Sequence, residues 1–275
     1  MAVYQPGLLS PKSLATTVAG DKRPEPTLSL ATYKEYRERF LGSREQFLEH
    51  FEKSLDEGIK QVGEIPAYEL IVRLDRAPVI VSATYDHVLA QKLTDAGKSF
   101  AVVTHILRSF DGANDGKILV VREDGSSEIC FADEVDLRDA ERVIYKPLGS
   151  PFLYRNLDPD LEIDTVVVTE TDHLIFLSRL ENQYTQIPTA FTRLFQRRPL
   201  LFLGYPLDVW HYRLVMQVFQ SAGTKGRSSS TLAVRIPDSS MEKLAWKRLG
   251  ADLIRMEPND FAKMILAESD KPVRS

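Results

Sequence analysis

Residues 200–219 read LLFLGYPLDVWHYRLVMQVF, and this stretch decides the fold. The four apolar residues Leu200–Leu203 predict a buried strand of a parallel sheet, because both faces of such a strand are covered. A tight turn is predicted from Gly204 to Leu207. Asp208 is a suitable N-cap for the next helix, since its carboxylate can accept hydrogen bonds from the free amides of the first turn. A strand that turns at glycine into a capped helix is typical of the ligand-side corner of an open α/β sheet.

The same alternation of strands and helices extends on both sides of this stretch. Apolar runs predict strands at Pro78–Ala83, Phe100–Leu107, Lys117–Val121, Glu128–Phe131, Arg142–Lys146, Thr165–Val168, Leu232–Ile236 and Asp252–Met256. Helices are predicted at Thr27–Leu41, from the capping box Ser43–Gln46, and at Tyr68–Leu74, His87–Ala96, Thr169–Leu180, Ile187–Gln196, Ser240–Leu249 and from Asn259. The pattern predicts an α/β fold: a doubly wound, mostly parallel Rossmann-like sheet with helices on both faces and a helical N-terminal segment.

The chain is long enough for one large domain behind a short arm. Residues 1–26, which contain several prolines, predict an irregular arm with a short strand at 14–18. Residues 27–275 then form a single domain, in which 27–75 are a helical cap or insertion and 77–275 the Rossmann-like core.

Composition excludes several classes of protein. The net charge of −4 and pI of about 5.8 provide no basic field for nucleic acid. The single cysteine, Cys130, excludes an intrachain disulfide and a cysteine-rich zinc module, and no metal site is predicted. No apolar run approaches the roughly 18 residues that a membrane helix needs. We expect a cytoplasmic protein with no membrane or nucleic-acid partner.

Several motifs occur in a fixed order along the chain. Thr84-Tyr85-Asp86 follows the first core strand, and YKPLGS occupies 145–150. VVVTETDHLIFLSRL follows at 166–180, and IPTAFTRLFQRRPLLFLGYPLDVWHYRL at 187–214. This ordered set resembles the sirtuin-like domain of bacterial defence NAD hydrolases, over roughly residues 78–219.

The resemblance implies that NAD lies at the carboxyl ends of the strands, and it shows where this chain departs from the family. The family wraps the phosphates with a GAG-x-S loop, whereas the nearest stretch here, 17–22, matches only at Ala19-Gly20. The family motif T-N-Y-D has Thr84 at its Asn position, and L-H-G-S has Leu148 at the position of the general base. A leucine cannot move a proton at any pH.

The resemblance also implies which residues line the site: Thr84, Tyr85, Asp86, Leu148, Gly149, Ser150, Gly204, Tyr205 and Asp208. Asp86, Leu148 and Gly204 are predicted to line one concavity at the carboxyl edge of the sheet. No catalytic residue is assigned, although His87 beside Asp86 is a candidate substitute base.

Three functions follow from this resemblance. The first is a degenerate sirtuin-like domain, catalytically inactive, that binds NAD or ADP-ribose weakly at most and acts through binding or assembly. The second is an active NAD hydrolase of a defence system with a shifted base. The third is a structural subunit of an effector complex with no ligand. A protein partner or a homo-oligomer is expected for the first and the third.

Overall fold

The computed structural model describes residues 2–3, 38, 42–74, 79–156, 162–180, 187–210, 212, 213, 216 and 231–270. The predicted strand at 14–18, most of the helix at 27–41 and the candidate phosphate loop at 17–22 lie outside these residues.

The described residues contain eleven strands. They are β1 Ala2–Val3, β2 Val79–Ser82, β3 Phe100–His105, β4 Arg108–Ser109, β5 Ile118–Arg122, β6 Ser127–Cys130, β7 Arg142–Lys146, β8 Ile163–Asp164, β9 Leu200–Leu203, β10 Thr231–Val234 and β11 Ala251–Ile254. Eight of the eleven correspond to predicted strands, with small shifts at their ends, whereas β1, β4 and β8 were not predicted.

Helices also begin and end close to the predicted positions. They are α1 Arg44–Val62, α2 Pro66–Arg73, α3 Val88–Asp95, α4 Glu170–Leu180, α5 Thr189–Arg197, α6 Ser240–Arg248 and α7 Pro258–Ser269, with a 3₁₀ helix at Pro151–Asn156. The predicted capping box is present, since Ser43 accepts a hydrogen bond from the amide of Gln46. Gly250 follows α6 with a φ of 68°, which a residue with a side chain rarely adopts.

The central sheet is mixed but mostly parallel. Among the described residues its strand order is β11-β10-β9-β1-β2-β7-β3-β5-β6, and a small second sheet pairs β4 with β8. All pairings from β11 to β3 are parallel, whereas β5 pairs antiparallel with β3 and β6 pairs antiparallel with β5. The sequence predicts that the strands ending near Ala83, Lys146, Val168, Leu203 and Ile236 share one parallel sheet. This is confirmed for four of them and wrong for the run ending at Val168, which forms no strand of the sheet.

Apolar residues of the sheet alternate between two core clusters, as the two faces of a strand require. Val79 and Val81 of β2 belong to a cluster with residues of α1, α4, α5 and α6. Ile80 of the same strand belongs to a second cluster with residues of α2, α3 and α7. Both faces of the parallel sheet are therefore covered by helices, which is why its strands read as continuous apolar runs.

One predicted strand was wrong. Residues 165–168 are buried but do not pair as a strand, and the pairing here is limited to β8 just before them. Their amides bond elsewhere: Val166 N donates to Asp164 Oδ1, Val167 N to Leu148 O, and Val168 N to Asp172 Oδ2. The run is apolar because it is buried, and two side-chain carboxylates and one loop carbonyl accept its hydrogen bonds in place of a neighbouring strand.

An unpredicted strand lies at the centre of the sheet. Ala2 and Val3 form β1, which pairs in parallel with β2 on one side and β9 on the other. Two residues among polar and proline-rich neighbours carry too little pattern to predict a strand. β1 therefore separates the two halves of the sheet that carry the motifs.

Candidate functional site

The corner formed by the ends of β2 and β7 is held by a buried lysine. Lys146, the last residue of β7, is 4% exposed and donates from Nζ to Thr84 O and to Asp86 O, both at 2.7 Å. Burial lowers the pKa of Lys146 to about 8, although the nearby Asp86 carboxylate acts to raise it. The ammonium thereby holds the backbone of the Thr84-Tyr85-Asp86 loop, which follows β2, against the end of the neighbouring strand β7.

Polar side chains of the same loop form one buried cluster. Tyr68 Oη donates to Asp86 Oδ2 at 2.9 Å and lies 3.3 Å from Thr84 Oγ1, which is 3.0 Å from Ser82 Oγ. The amide of Val88 donates to Asp86 Oδ1 at 3.0 Å, so Asp86 meets the first turn of α3. Burial, and next the charge of Asp86, raise the pKa of Tyr68 well above its ordinary value, so its hydroxyl stays a donor. Both carboxylate oxygens of Asp86 are therefore occupied by groups of the chain itself.

The loop after β7 closes against the segment before α4. Gly149 has a φ of 68°, and a Cβ at that position would lie 1.9 Å from the carbonyl oxygen of Thr165. Ser150 Oγ donates to Tyr85 O, and Tyr85 Oη donates to Val167 O at 2.7 Å. The glycine of this motif is thus required for a close approach between two stretches of backbone.

Leu148 stands where the family resemblance places a general base, and its side chain is 1% exposed within the main core cluster. His87, the candidate substitute, is the N-cap residue of α3 and is partly exposed. Its ring centroid lies 4.4 Å from that of Phe152.

Another histidine is buried in the core beside this corner. His105 Nε2 lies 2.6 Å from Tyr145 Oη, and burial lowers the pKa of His105 to about 3. The imidazole is therefore neutral at physiological pH and bonds a core tyrosine.

A second corner follows β9 and β10 and contains the remaining predicted site residues. Gly204 has a φ of 70°, and its amide donates to Val234 O at 2.9 Å. Tyr205 points into the core, where Tyr205 Oη donates to Tyr212 O at 3.0 Å. Helical residues begin at Trp210, and Asp208 Oδ1 lies 3.3 Å from Arg235 Nη2.

Arg235 is the centre of this second corner, and it is 5% exposed. Its Nε donates to Glu242 Oε1 at 2.6 Å, its Nη2 to Asp238 Oδ2 at 3.1 Å, and its Nη1 lies 3.4 Å from Gly204 O. Oxygens of Asp208, Asp238 and Glu242 converge within 4.8 Å of one another. All three carboxylates contact Arg235, so its guanidinium is a cation already present among them.

The structure brings together two of the three predicted motifs. Bonds from Lys146 and Ser150 join the Thr84–Asp86 loop directly to the Leu148–Ser150 loop. Gly204 follows β9, which is separated from β2 by β1, so it lies roughly 10 Å across the sheet at about 4.8 Å per strand. A concavity shared by Asp86, Leu148 and Gly204 stays a prediction.

Sequence reasoning missed the charged residues that shape both corners. Lys146 and Arg235 each stand at the carboxyl end of an apolar strand, and Tyr68 arrives from α2. A lysine or arginine directly after a buried apolar run was the available signal, because such a charge must find partners when it is buried. Nothing local in the sequence links Tyr68 to Asp86.

A second group that was missed is an ionic network between α1, β4, β8 and α4. Arg44 contacts Asp164 and Asp172, each at 3.0 Å, and Arg108 contacts Asp172 at 2.7 Å. Burial acts to raise the pKa of Asp172, but Arg44, the amide of Thr169 and Arg108 outweigh it and the pKa falls. Its partners are charged groups of the chain, so the network ties α1 to the core.

The described residues fit NAD-cleaving chemistry poorly. The base position is an apolar core residue, the carboxylate of Asp86 is occupied, and Gly149 faces backbone at close range.

Comparison with known proteins supports a family assignment. The family model of the SIR2-like domain matches residues 78–254, which includes both corners. No curated protein matches the chain significantly. None of the described helices combines the length and the apolar character that crossing a membrane requires.

Proposed function

This chain belongs to the SIR2-like domain family, and we propose that it is a member without NAD-cleaving activity that acts through binding or assembly. The family is NAD-related, so a nucleotide of this type is the ligand to test. The defence-type role and the cytoplasmic location are part of the same proposal and rest on the sequence resemblance.

The observation that carries the proposal is the burial of Leu148. A general base must reach the proton that it abstracts, and it needs a titratable group. The residue at that position has none and packs in the core. Thr84, at the position of the orienting Asn, bonds to Ser82 and Tyr68 within the protein.

Any nucleotide binding is expected to be weak. The carboxylates of Asp86 and Asp208 stand at the two corners, and each opposes a phosphate group. The amide of Val88 at the start of α3 already donates to Asp86. Helix N-termini bind phosphate through such amides, so this one is not available without a rearrangement.

A working hydrolase is the second candidate, and one observation favours it. His87 is partly exposed and stands at the N-cap of α3, directly after Asp86. An imidazole can accept a proton, so a histidine at this edge of the sheet is chemically capable of general base catalysis.

The two candidates differ in whether nicotinamide is released. We expect no release when the pure protein is incubated with NAD and the products are separated by liquid chromatography. Turnover that disappears in a His87→Ala variant would contradict the proposal and favour the hydrolase. Asp95→Asn is the matched control variant, because it removes an exposed charge at the other end of α3 and belongs to neither corner.

Binding is measured separately by calorimetric titration with ADP-ribose. We expect an affinity weaker than low micromolar, and tighter binding would contradict the degenerate site. No heat at all, with no thermal shift, would favour the structural subunit without a ligand.

A further inference from the structure

One loop presents an aromatic side chain to solvent. Phe110 is 88% exposed, in the segment 109–116 between β4 and β5, which we call the Phe110 loop. A single exposed apolar residue is ordinary on a protein surface. Phe110 differs in that several hydrogen bonds fix the loop that carries it.

Hydrogen bonds tie the Phe110 loop to itself and to the body of the domain. Asp115 Oδ1 accepts from Ser109 N at 2.6 Å and from Ser109 Oγ at 3.0 Å, and Asp115 Oδ2 accepts from Arg179 of α4 at 2.6 Å. The amide of Phe110 donates to Glu162 O at 3.0 Å. Because the backbone that carries Phe110 is already held, binding has to order only its side chain, which lowers the entropic cost for an interface anchor.

Charge around Phe110 is negative. Asp111 follows Phe110 in sequence, and the carbonyl of Glu162 accepts the hydrogen bond from the Phe110 amide. The carboxylates of both residues are exposed, and neither forms an ion pair with a described residue. Of the nearby cations, Arg108 pairs with Asp172 and Arg179 with Asp115, whereas Lys117 donates to Asn114 of the loop and lies over the Phe131 ring. A partner for this loop needs an apolar surface bordered by basic side chains.

The outer face of α6 has that chemistry. Met241 is 69% exposed and Leu244 is also exposed, one helical turn apart on the same side. Three exposed cations border them: Lys243, Lys247 and Arg248. None of the three forms an ion pair with another residue in the described part of the chain. We call this surface the α6 face.

The two surfaces lie at opposite ends of the sheet. α6 follows β10 and packs against β11, at one end of the strand order, whereas the Phe110 loop precedes β5 near the other end. Six strand spacings separate β10 from β5, or about 29 Å at roughly 4.8 Å each. They cannot meet within one chain, but they can meet between two copies.

We propose that the Phe110 loop of one copy docks on the α6 face of a second copy, in a head-to-tail assembly. This inference rests on the proposed function and specifies its assembly. Each copy uses one surface and leaves the other free, so the contact repeats along a ring or a filament. A contact centred on one aromatic anchor is small, so we expect a weak association that is reduced by salt.

Sedimentation velocity at increasing protein concentration tests the proposal. We expect the wild type to associate at high concentration and low ionic strength, and to dissociate as salt is added. Phe110→Ala and Met241→Glu should each abolish the association. Met264→Glu is the matched control, because Met264 is 50% exposed on α7, away from both surfaces, and this variant should associate like the wild type.

Mixing the two defective variants distinguishes head-to-tail from symmetric contacts. Phe110→Ala retains the α6 face and Met241→Glu retains the loop, so their mixture should form a dimer and nothing larger. A symmetric contact between two Phe110 loops would survive in Met241→Glu alone and would overturn the proposal. A wild type that stays monomeric at all concentrations would also overturn it.

The outcome is separable from that of the proposed function. A protein that assembles and also cleaves NAD refutes the lack of catalysis and leaves this inference standing. A monomer that cleaves no NAD refutes this inference and leaves the lack of catalysis standing.

Discussion

Two corners at the carboxyl edge of the sheet each hold a buried cation, and they stabilise it differently. After β7, Lys146 donates to two backbone carbonyls, those of Thr84 and Asp86. After β10, Arg235 contacts three carboxylates, including the buried Glu242. The first cation is stabilised mainly by dipoles and the second by full charges.

The two kinds of partner stabilise different features of the two corners. Around Lys146, neutral carbonyls do not compensate fully for burial, and the pKa of the ammonium falls to about 8. The cluster there fixes the shape of the loop that carries the motif residues. Around Arg235 the ion pair with the fully buried Glu242 is the costly one to break, since Asp208 and Asp238 remain in contact with solvent and Glu242 does not.

Removing the guanidinium should give the largest effect. Arg235→Met leaves Glu242 buried without its cation, and we expect the free energy of unfolding to fall by roughly 3–5 kcal/mol. Urea denaturation followed by circular dichroism measures this change. Adding Glu242→Gln to the same chain removes the unpaired charge and should restore part of the stability, which a double-mutant cycle quantifies. If the second substitution makes the loss of stability larger, the ion pair between Arg235 and Glu242 is not what stabilises this corner.

Adding a methyl group at Gly149 should give the next largest effect. Gly149→Ala strains a residue with a φ of 68° and places a Cβ 1.9 Å from Thr165 O. We expect a loss of about 2–4 kcal/mol, from the backbone strain and from overpacking together.

Gly250→Ala is the matched control for this substitution. Gly250 has the same φ of 68°, but a Cβ there would meet nothing within 4 Å. It should cost only the backbone strain, about 1 kcal/mol. Equal losses in thermal or urea denaturation would show that the approach between Gly149 and Thr165 is not close in solution.

The smallest effect at neutral pH is expected for Lys146→Met, which leaves two buried carbonyls without their donor. Removing a poorly compensated ammonium offsets part of that cost, so we expect a loss of about 1–2 kcal/mol at pH 7. Burial places the pKa of Lys146 near 8 in the folded chain, below the ordinary 10.5. Between these two values the unfolded chain binds more protons, so the stability contributed by Lys146 rises with pH.

The loss caused by Lys146→Met should therefore be larger at pH 10 than at pH 7. Other titrating groups are common to both proteins and cancel in the difference. Urea denaturation of both proteins at the two pH values measures it. A loss that is the same at both, or that shrinks as the pH rises, would mean that Lys146 is not a poorly compensated ammonium.

Strands and helices were predictable where the local pattern was strong. Arg142–Lys146 and Leu200–Leu203 are strands with the predicted bounds, because apolar runs ending in a charge or a glycine carry that signal locally. The run at 165–168 is just as apolar, but its amides bond to Asp164, Leu148 and Asp172 instead of to a strand. The apolar composition of a run indicates that the run is buried, but it does not indicate which acceptor each buried amide bonds to.

Among the residues of the two corners, the motif positions could be found from sequence and their partners could not. Thr84, Asp86 and Leu148 stand in recognisable motifs, and the departures from the family pattern at Thr84 and Leu148 are visible in the letters alone. Tyr68 precedes Asp86 by a helix and a strand, and Glu242 approaches Arg235 from a separate helix. The contact between Gly149 and Thr165 is equally remote in sequence.

Residue types and local periodicity were enough to predict the α/β class, most strand and helix positions, and the lack of a titratable group at position 148. The folded chain was needed to show that β1 separates the two corners, that Lys146 and Arg235 are buried with unlike partners, and that the Phe110 loop and the α6 face lie at opposite ends of the sheet. Those facts depend on which distant segments become neighbours, and hydrogen-bond and charge partners are chosen only when the chain has packed.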